Sequence, residues 1–389
     1  MDEQEVKLFM KQHVSLNVPL NYEQAYALGK HAIKGCGGDS VAQIQSIALL
    51  CALHNQALYF WSGDNAKEEL FGRKLPISAA EQIAGVCAAI FEHDIAVSES
   101  GFVNPNVPLV MDNCGMGGDF VVTANVSSIA AFIAASAGIP MCKHGSPANA
   151  DLGKYGSSDF LSLVCGIEVL ASRKEIEHSI EAFGFGYIEA LDTRYKHIHM
   201  QTHKVAQMPH MNDIIGPITS PLLPSKLRKK VLGVNHLVSP RVIAEAYQIL
   251  NEKKITHLDH AMFVRGFADS TRLAGMDELS ICEGGTHVVE LKCGEVVEYM
   301  LYAEDFGIDP VPVSAISPRG NKGQFSLGIL KGEIGGPPLQ MVLANAALLF
   351  YLDGHSKDLR ACYTHAEMVF ADGGAFETMK KVQSAFPAK

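Results

Sequence analysis

The stretch Asp112-Asn113-Cys114-Gly115-Met116-Gly117-Gly118-Asp119 decides the fold, because it ends an apolar run and begins a loop suited to a ligand. Its closely spaced glycines leave no Cβ to keep a bulky ligand away from the backbone. An acid follows, and Asn125-Val126-Ser127-Ser128 then begins a predicted helix whose free N–H groups attract anions. Ser127 or Ser128 is the expected N-cap. The pattern predicts a polyphosphate ligand that carries a metal, with a plain strand-to-helix turn as the alternative.

Short apolar runs alternate with helical patterns around this stretch. Val107–Met111 and Ile139–Cys142 are predicted strands, the second of which leads into Lys143-His144-Gly145. Another strand is expected at Ala261–Arg265 and a helix at Ser157–Gly166. This alternation predicts an α/β layer whose central sheet is mostly parallel and flanked by helices. Ligands of such sheets bind where the carboxyl ends of the strands meet the following loops.

Residues 1 to about 100 show helical patterns without strands. One helix is predicted to begin at Asn21 and a second at Ser40, and Ser78-Ala79-Ala80-Glu81 has the capping-box pattern of a third. The polar stretch 61–76 is interpreted as a surface insertion, and 98–108 as a hinge. We therefore expect an α/β protein with a separate, small, all-helical N-terminal domain over residues 1–104.

Composition excludes several classes of protein. The chain has 389 residues and a formal net charge of -10, which disfavours the nucleic-acid backbone as the main partner. Its nine cysteines form no C-x-x-C pair and fit the reduced thiols of a cytosol. The acidic N-terminus lacks the layout of a signal peptide, and no apolar run reaches the ~20 residues of a membrane span. We expect a cytoplasmic protein with no membrane partner.

Two further clusters carry chemistry. Lys143-His144-Gly145 and Gly156-Ser157-Ser158-Asp159 place a cation and hydroxyls beside glycines, although a lysine at a strand end can simply be solvated. Asp277 and Glu278 are adjacent carboxylates, which suit Mg²⁺ held through water to a substrate phosphate. An Asp-Glu pair is also common on protein surfaces, and that alternative stays open here.

In this order the clusters resemble the motifs of the anthranilate phosphoribosyltransferase family, which shares its fold with pyrimidine nucleoside phosphorylases. The family pattern is G-T-G-G-D, N-[IV]-S-T, K-H-G-N-R, G-S-A-D and a later D-E pair. The corresponding segments are Gly115-Met116-Gly117-Gly118-Asp119, Asn125-Val126-Ser127-Ser128, Lys143-His144-Gly145-Ser146-Pro147, Gly156-Ser157-Ser158-Asp159 and Asp277-Glu278. The resemblance covers nearly the whole chain.

The resemblance implies a Mg²⁺-dependent transfer of 5-phosphoribose from phosphoribosyl pyrophosphate (PRPP) to an aromatic amine or related nitrogen acceptor, as in tryptophan biosynthesis. The implied metal ligands are Ser127, Asp277 and Glu278. Implied PRPP-binding residues are Gly115, Gly117, Gly118, Asp119, Thr123, Asn125, Val126, Ser127, Ser128, Lys143, His144, Gly145 and Ser157. No catalytic side chain is assigned, because positioning and electrostatics account for the rate.

The resemblance also implies an arrangement of domains and subunits. The helical domain is expected to take in about 196–235 from the middle of the chain, so that 105–195 and 236–389 form the α/β domain. Members of the family are typically homodimers through the helical domain, so a homodimer is expected.

Departures from the family pattern fall on the acceptor side. Met116 stands where Thr is usual, Ser146 where an Asn helps to hold the acceptor, and Pro209 where an Arg pairs with the anthranilate carboxylate. Neither Pro nor His reproduces a guanidinium fork. The expected acceptor-binding residues are Gly115, Ser146, His197 and His210. Either the acceptor differs from anthranilate, which we favour, or nearby cations such as Arg194 replace the lost Arg.

Other hypotheses stay open. His199 and His203 have the spacing of a helical metal pair, but histidines that line a polar channel explain them more simply. The basic run Pro224–Lys230 leaves open the hypothesis that the chain is a non-catalytic family member that binds nucleic acid. The alternative interpretation of the run is a solvated helix face. A nucleoside phosphorylase-like enzyme is a third possibility, which the Asp277-Glu278 pair disfavours.

Overall fold

The computed structural model describes residues 3–57, 61, 79–98, 101–118, 120–148, 150–189 and 211–388. The hypotheses on the insertion at 61–76 (apart from Trp61), on Asp119 and on the segment from Arg194 to His210 therefore lie outside the described residues. The chain divides into two compact units. Unit 1 comprises residues 1–102, 191–221 and 236–256, and unit 2 comprises 103–190, 222–235 and 257–389.

In chain order the α-helices are α1 (Glu3–Phe9), α2 (Tyr22–Cys36), α3 (Ser40–Gln56), α4 (Ala79–Ile90), α5 (Val126–Ser136), α6 (Ser157–Asp159), α7 (Arg173–Phe183), α8 (Asn212–Ile218), α9 (Pro240–Glu252), α10 (Val313–Ile316), α11 (Lys322–Leu330), α12 (Pro337–Asp353), α13 (Leu359–Ala371) and α14 (Gly374–Ala385). The strands are β1 (Val110–Gly115), β2 (Met141–Gly145), β3 (Phe185–Glu189), β4 (Leu227–Gly233), β5 (His260–Phe267), β6 (Gly275–Met276), β7 (Thr286–Lys292) and β8 (Glu295–Leu301). Shorter π- or 3-10-helical turns lie at Met10–Ser15, Phe91–Ile95, Ala150–Leu152, Phe160–Val164 and Ala303–Phe306.

Unit 1 contains helices joined by loops and turns, and no strand among its described residues. Helix α2 begins where the sequence predicts, because Asn21 and Gln24 form a reciprocal capping box. Asp39 caps α3 by accepting a hydrogen bond from the Ala42 N–H. Helices α2 and α4 lie so close that a Cβ on Gly85 would be 2.4 Å from the Tyr22 carbonyl oxygen. Small residues therefore set the packing of this unit.

Unit 2 is built on one sheet, which among the described residues has eight strands. Strands run in the order β3-β2-β1-β4-β5-β7-β8, and β6 pairs with β5. The five strands from β3 to β5 are parallel, whereas β6, β7 and β8 add antiparallel pairs. Helix α5 packs against the sheet through Phe132, whose ring stacks on Phe185 at 4.2 Å between centroids. The predicted fold class, a helical part plus a larger α/β part with a mostly parallel sheet, is confirmed.

Two strand boundaries differ from the expectation and change the site. Strand β1 runs to Gly115 rather than ending at Met111, and β2 includes Lys143 and His144 rather than ending at Cys142. Backbone pairing with neighbouring strands therefore fixes the first glycine of the loop and both basic residues. Asn125 rather than Ser127 or Ser128 is the N-cap of α5, and its side chain makes no capping hydrogen bond.

The basic run is not a solvated helix face. Its residues enter the central strand β4, where Lys230 is fully buried against Asp112. Arg228 pairs with Asp259 and Lys229 with Asp353. These three cations each face a carboxylate, and the fourth, Lys226, donates to the Val107 carbonyl oxygen at 2.7 Å. The run therefore does not offer the free positive surface that a nucleic-acid backbone requires.

The mid-chain residues divide differently from the expectation. Residues 222–235, which contain β4, belong to unit 2, whereas 236–256, which contain α9, belong to unit 1. The hydrophobic pattern of β4 explains the first difference, because the strand pairs with both β1 and β5. In the part of the chain that the structure describes, no helix has the length and apolarity to cross a membrane.

Candidate active site at the strand ends

The glycine loop begins at the carboxyl end of β1. Gly117 and Gly118 have φ angles of +76° and +79°, a left-handed conformation that side chains other than glycine rarely adopt. The Gly117 N–H donates to Asp277 Oδ2 at 2.6 Å. The loop is therefore tied to the carboxylate pair that lies 160 residues further along the chain.

Gly115 approaches the same carboxylate from the strand. A Cβ at Gly115 would lie 2.0 Å from Asp277 Oδ2, and one at Gly233 would lie 1.5 Å from the Asp277 carbonyl oxygen. These two glycines, at paired positions of β1 and β4, leave the space that Asp277 occupies. The glycines that predicted a ligand therefore also have a structural reason, because a side chain at these positions would occupy the space of Asp277.

Replacement of Gly115 by Ala is expected to displace the Asp277 carboxylate, because the new Cβ would overlap that side chain and strand pairing with Gly233 holds the backbone of Gly115 in place. We expect affinity for Mn²⁺, a spectroscopic probe of divalent-cation sites, to fall by at least about tenfold while helical content is kept. Gly335→Ala is the matched control, since a Cβ there meets no atom within 4 Å. Unchanged Mn²⁺ binding in the Gly115→Ala variant would mean that Asp277 does not bind the metal.

Asp277 and Glu278 are side by side and nearly buried, with exposed fractions of 8% and 9%. Thr123 Oγ1 donates to Glu278 Oε2 at 2.7 Å. Burial, reinforced by the neighbouring Asp277, raises the pKa of Glu278 to about 8. Two buried carboxylates that repel each other make a site for a divalent cation, which would remove the repulsion. The surface alternative for this pair is therefore wrong.

Lys143 supplies the cation of the site from inside β2. Its ammonium group donates to the Asn113 carbonyl oxygen at 2.9 Å and to Ser127 Oγ at 3.0 Å. Burial lowers the pKa of Lys143, and Asp277 and Glu278 are among the anionic groups that oppose this shift. The solvated alternative for this lysine is also wrong, because the residue is only 1% exposed.

The start of α5 is held by several partners. Asn125 accepts from Ser326 Oγ at 3.0 Å, and its side-chain NH₂ donates to the Tyr155 carbonyl oxygen at 3.1 Å. The Asn113 side chain donates to the Ser127 carbonyl oxygen at 3.0 Å. These bonds fix the first turn of the helix, and the hydroxyl of Thr123, three residues before that turn, reaches Glu278. A helix start in this position favours an anion.

The loop that connects β2 to α6, here called the second loop, is held by the side chain of an acid. Asp159 Oδ2 accepts from the Ala148 N–H at 2.6 Å and from the Gly156 N–H at 3.0 Å. Ser157 Oγ lies 3.4 Å from the Tyr187 hydroxyl. A Cβ at Gly145 would lie 1.9 Å from Ser157 Oγ, so glycine is needed for this serine to approach β2.

The structure brings together most of the residues that the sequence assigned to donor and metal. Contacts link Gly115, Gly117, Thr123, Asn125, Ser127, Lys143, Gly145, Ser157, Asp277 and Glu278. Val126 and Ser128 are buried in the first turn of α5, so main-chain groups are what Val126 offers there. Gly118 and Ser146 are exposed in their loops. Asp119, His197 and His210 lie outside the described residues.

His144 is the exception among the donor residues. Its ring lies with Asp112 and Cys114, on the opposite face of the sheet from Lys143, because neighbours along a strand alternate. Burial lowers the pKa of His144 to about 3, so the imidazole is neutral. Its ring is therefore not placed to bind the donor.

Asp112, Cys114 and His144 also bring three potential metal-ligand atoms within 4.8 Å of one another. The Lys230 ammonium already donates to Asp112 and also acts on Cys114. We interpret Lys230 as the cation of this cluster, which gives it a structural role beneath the site.

Sequence reasoning missed some contributors. Lys322, at the start of α11, lies near enough to lower the pKa of Glu278, and Ser326 one turn later holds Asn125. Both lie about 200 residues from the glycine loop and carry no local motif, so only the fold could reveal them. Glu189, at the end of β3, was also missed because a single acid after an apolar run is no signal.

Comparisons with known proteins identify the family to which this chain is similar. Residues 107–376 match the model described as the glycosyl transferase family, a/b domain. The anthranilate phosphoribosyltransferase of Nitrosomonas europaea is 31% identical over 279 residues, which cover 71% of this chain and 76% of that relative. That of Halorhodospira halophila is 28% identical over 322 residues, covering 80% and 85%.

Solved structures agree on the fold. Anthranilate phosphoribosyltransferase from Thermus thermophilus has a TM-score of 0.73 at 24% identity and covers 98% of both chains. The Saccharomyces cerevisiae enzyme, solved in complex with PRPP and Mg, has a TM-score of 0.73 at 20% identity and covers 99% of this chain and 98% of its own.

Proposed function

This chain belongs to the anthranilate phosphoribosyltransferase family of glycosyl transferases, and from that premise we propose that it transfers 5-phosphoribose from PRPP, bound with Mg²⁺, to a nitrogen acceptor other than anthranilate. The observation that supports the donor most strongly is the contact of the glycine loop with Asp277, beside a second buried carboxylate. Neither a plain turn nor a solvated acid pair has this arrangement.

The donor half of the site provides complementary charges. Asp277 and Glu278, with Ser127, would hold Mg²⁺ against the phosphates, and the ion would neutralise charge on the departing pyrophosphate. Lys143 and the first N–H groups of α5 lie on the same face and stabilise the negative charge of the pyrophosphate. The glycine loop admits the ligand to the backbone, so these residues bind and orient the donor.

The reaction requires little proton chemistry from the protein. An acceptor nitrogen attacks the anomeric carbon of the ribose, the bond to pyrophosphate breaks, and the pyrophosphate leaves with the bonding electrons. The nitrogen then loses its extra proton to water. Preorganised cations and N–H groups act on the charge that develops during this step. The described residues therefore support a mechanism of positioning and electrostatic stabilisation.

The acceptor half supports a different substrate. Ser146 replaces the Asn that holds the acceptor in the family, and Pro209 replaces the Arg that pairs with a carboxylate. Ser146 is exposed at the end of β2, whereas Pro209 lies outside the described residues. The loss of both groups favours an acceptor without the anthranilate carboxylate.

The test is a panel of aromatic amines and nitrogenous bases incubated with PRPP and Mg²⁺, with pyrophosphate release as the readout. We expect release with at least one acceptor that lacks a carboxylate, and calorimetric binding of PRPP that requires Mg²⁺. Failure to bind PRPP would contradict the donor, and fastest turnover with anthranilate would contradict the altered acceptor.

Donor binding is expected to depend on pH through Glu278. Because the pKa of Glu278 is raised to about 8, its carboxyl group is protonated at about pH 6. The bound proton then competes with Mg²⁺ for the carboxylate, so the metal binds weakly at that pH. Binding should therefore tighten, by more than about tenfold, as the pH rises from about 6 to about 8.5. Calorimetry over this range checks the effect. Glu278→Gln is the control, since only the titration of PRPP itself would remain.

We propose a homodimer formed through the helical unit. Leu8, Leu16, Val41 and Ile44 each expose between 51% and 68% of their surface in this unit, and burial of such apolar surface would favour association. Light scattering of the purified chain distinguishes a dimer from a monomer.

A further inference from the structure

Glu189 is a buried acid at the end of the sheet where the candidate site lies. It is the last residue of β3, is 5% exposed, and pairs in register with Gly145 of β2. Tyr187, two residues earlier, pairs with Lys143, so alternation along the strand places Glu189 on the same face as Lys143. The carboxylate therefore belongs to the face that carries the proposed donor residues.

Glu189 is joined to the acceptor side of the second loop through Ser158. The Ser158 hydroxyl donates to Glu189 Oε2 at 2.5 Å, and the Ser158 N–H donates to the Ser146 carbonyl oxygen at 3.3 Å. Ser158 stands where the family motif G-S-A-D has Ala, and Ser146 stands where the family has its acceptor-holding Asn. Two departures from the family pattern are thus linked to one buried carboxylate.

We propose that Glu189 is a specificity-determining residue, whose carboxylate accepts a hydrogen bond from an N–H group of the acceptor and disfavours an acceptor carboxylate. The proposal rests on the proposed function and names the acceptor class: a nitrogen compound that is neutral or cationic and has an N–H donor beside the nucleophilic nitrogen. Ser158 is the positioning residue that orients the acid.

Charge and hydrogen bonding support this assignment. A buried carboxylate is stable only when donors satisfy its oxygens, and Ser158 supplies one such donor. The Lys143 ammonium is directed to Asn113 and Ser127, towards the proposed pyrophosphate site. An acceptor N–H would add a hydrogen bond to Glu189. A second carboxylate at the same place would meet the like charge of an acid that is only 5% exposed.

The experiment uses two acceptors of nearly the same shape, 2-aminobenzamide and anthranilate, with the full-length protein, PRPP and Mg²⁺. We expect the native chain to use the amide at least about tenfold more efficiently, measured as kcat/KM. Glu189→Gln should reduce this preference by at least about tenfold, because an amide side chain no longer repels a carboxylate. Glu377→Gln, at an exposed position of α14, makes the same chemical change and should leave the preference unaltered.

The Ser158→Ala variant tests the positioning role. It should raise KM for 2-aminobenzamide with little change in kcat, since the carboxylate stays but loses its orientation. A merely structural role of the pair would instead lower activity with both acceptors equally.

The possible failures are distinguishable. If PRPP with Mg²⁺ does not bind, measured calorimetrically without acceptor, the proposed function fails and this inference fails with it. If PRPP binds but the amide is not used, or if Glu189→Gln shifts the preference by less than about twofold, only the assignment of Glu189 is overturned. Weakened PRPP binding in Glu189→Gln would place the carboxylate on the donor and also overturn it.

Discussion

Simultaneous replacement of Asp277 by Asn and Glu278 by Gln is expected to abolish Mg²⁺-dependent binding of PRPP. The substitutions keep the shapes of both side chains, and they remove the buried charge and the mutual repulsion that together raise the pKa of Glu278. The fold should therefore be kept or slightly stabilised, whereas the charge that holds Mg²⁺ is lost. We expect PRPP affinity in the presence of Mg²⁺ to fall by at least about a hundredfold, to the level without the metal.

Calorimetric titration with PRPP, with and without Mg²⁺, measures this effect. The matched control is Glu304→Gln with Asp305→Asn, an adjacent and exposed acid pair in the same unit that makes the same change in net charge. That control should bind as the native chain does. If PRPP binding to the Asp277/Glu278 variant depended on Mg²⁺ as strongly as binding to the native chain does, the pair would not be part of the metal site.

The grouping of the proposed donor residues was predictable because these residues lie in short motifs with fixed spacing. Thr123, Asn125 and Ser127 follow the glycine loop within ten residues of Gly117, and the fold had only to join them to Asp277 and Glu278. The α/β class was predictable for a similar reason, since strands and helices alternate visibly along the chain.

Other features depend on contacts that no local pattern records. The run Arg228-Lys229-Lys230 resembles a solvated basic face, but its apolar continuation Val231-Leu232 makes it the central strand β4. Alternation along that strand turns Lys229 and Lys230 to opposite faces. Only strand order reveals that Lys230 then meets Asp112, 118 residues away. Ser127 was expected as a helix cap, yet its hydroxyl accepts from Lys143, a partner supplied by a neighbouring strand.

Replacement of Lys230 by Met is expected to destabilise unit 2 by about 3–5 kcal/mol, because it leaves the Asp112 carboxylate charged and buried. Both side chains are fully buried, and the other Asp112 oxygen accepts from the His144 N–H at 3.1 Å. The acid thus joins β1, β2 and β4 beneath the glycine loop. Hydrogen exchange of the amides in these strands, measured in increasing urea, reports the loss for unit 2 alone.

A variant of the neighbouring Lys229 distinguishes the effect of losing a buried ion pair from the effect of losing a positive charge. Lys229→Met removes the same charge from the same strand, but its pair with Asp353 is partly exposed, with side-chain fractions of 24% and 47%. That variant should lose no more than about 1 kcal/mol. Equal losses in the two variants would contradict a special role for the buried pair.

The double variant Lys230→Met with Asp112→Asn completes the argument. If the cost of Lys230→Met comes from an uncompensated charge, neutralising Asp112 as well should recover at least about 1 kcal/mol of it, so that the two substitutions are not additive. The Asn oxygen can still accept from the His144 N–H, which keeps β1 tied to β2. Stability recovered in this way would mean that the charge balance of the buried pair holds the strands together beneath the glycine loop. Full additivity would mean that the lysine contributes through packing alone.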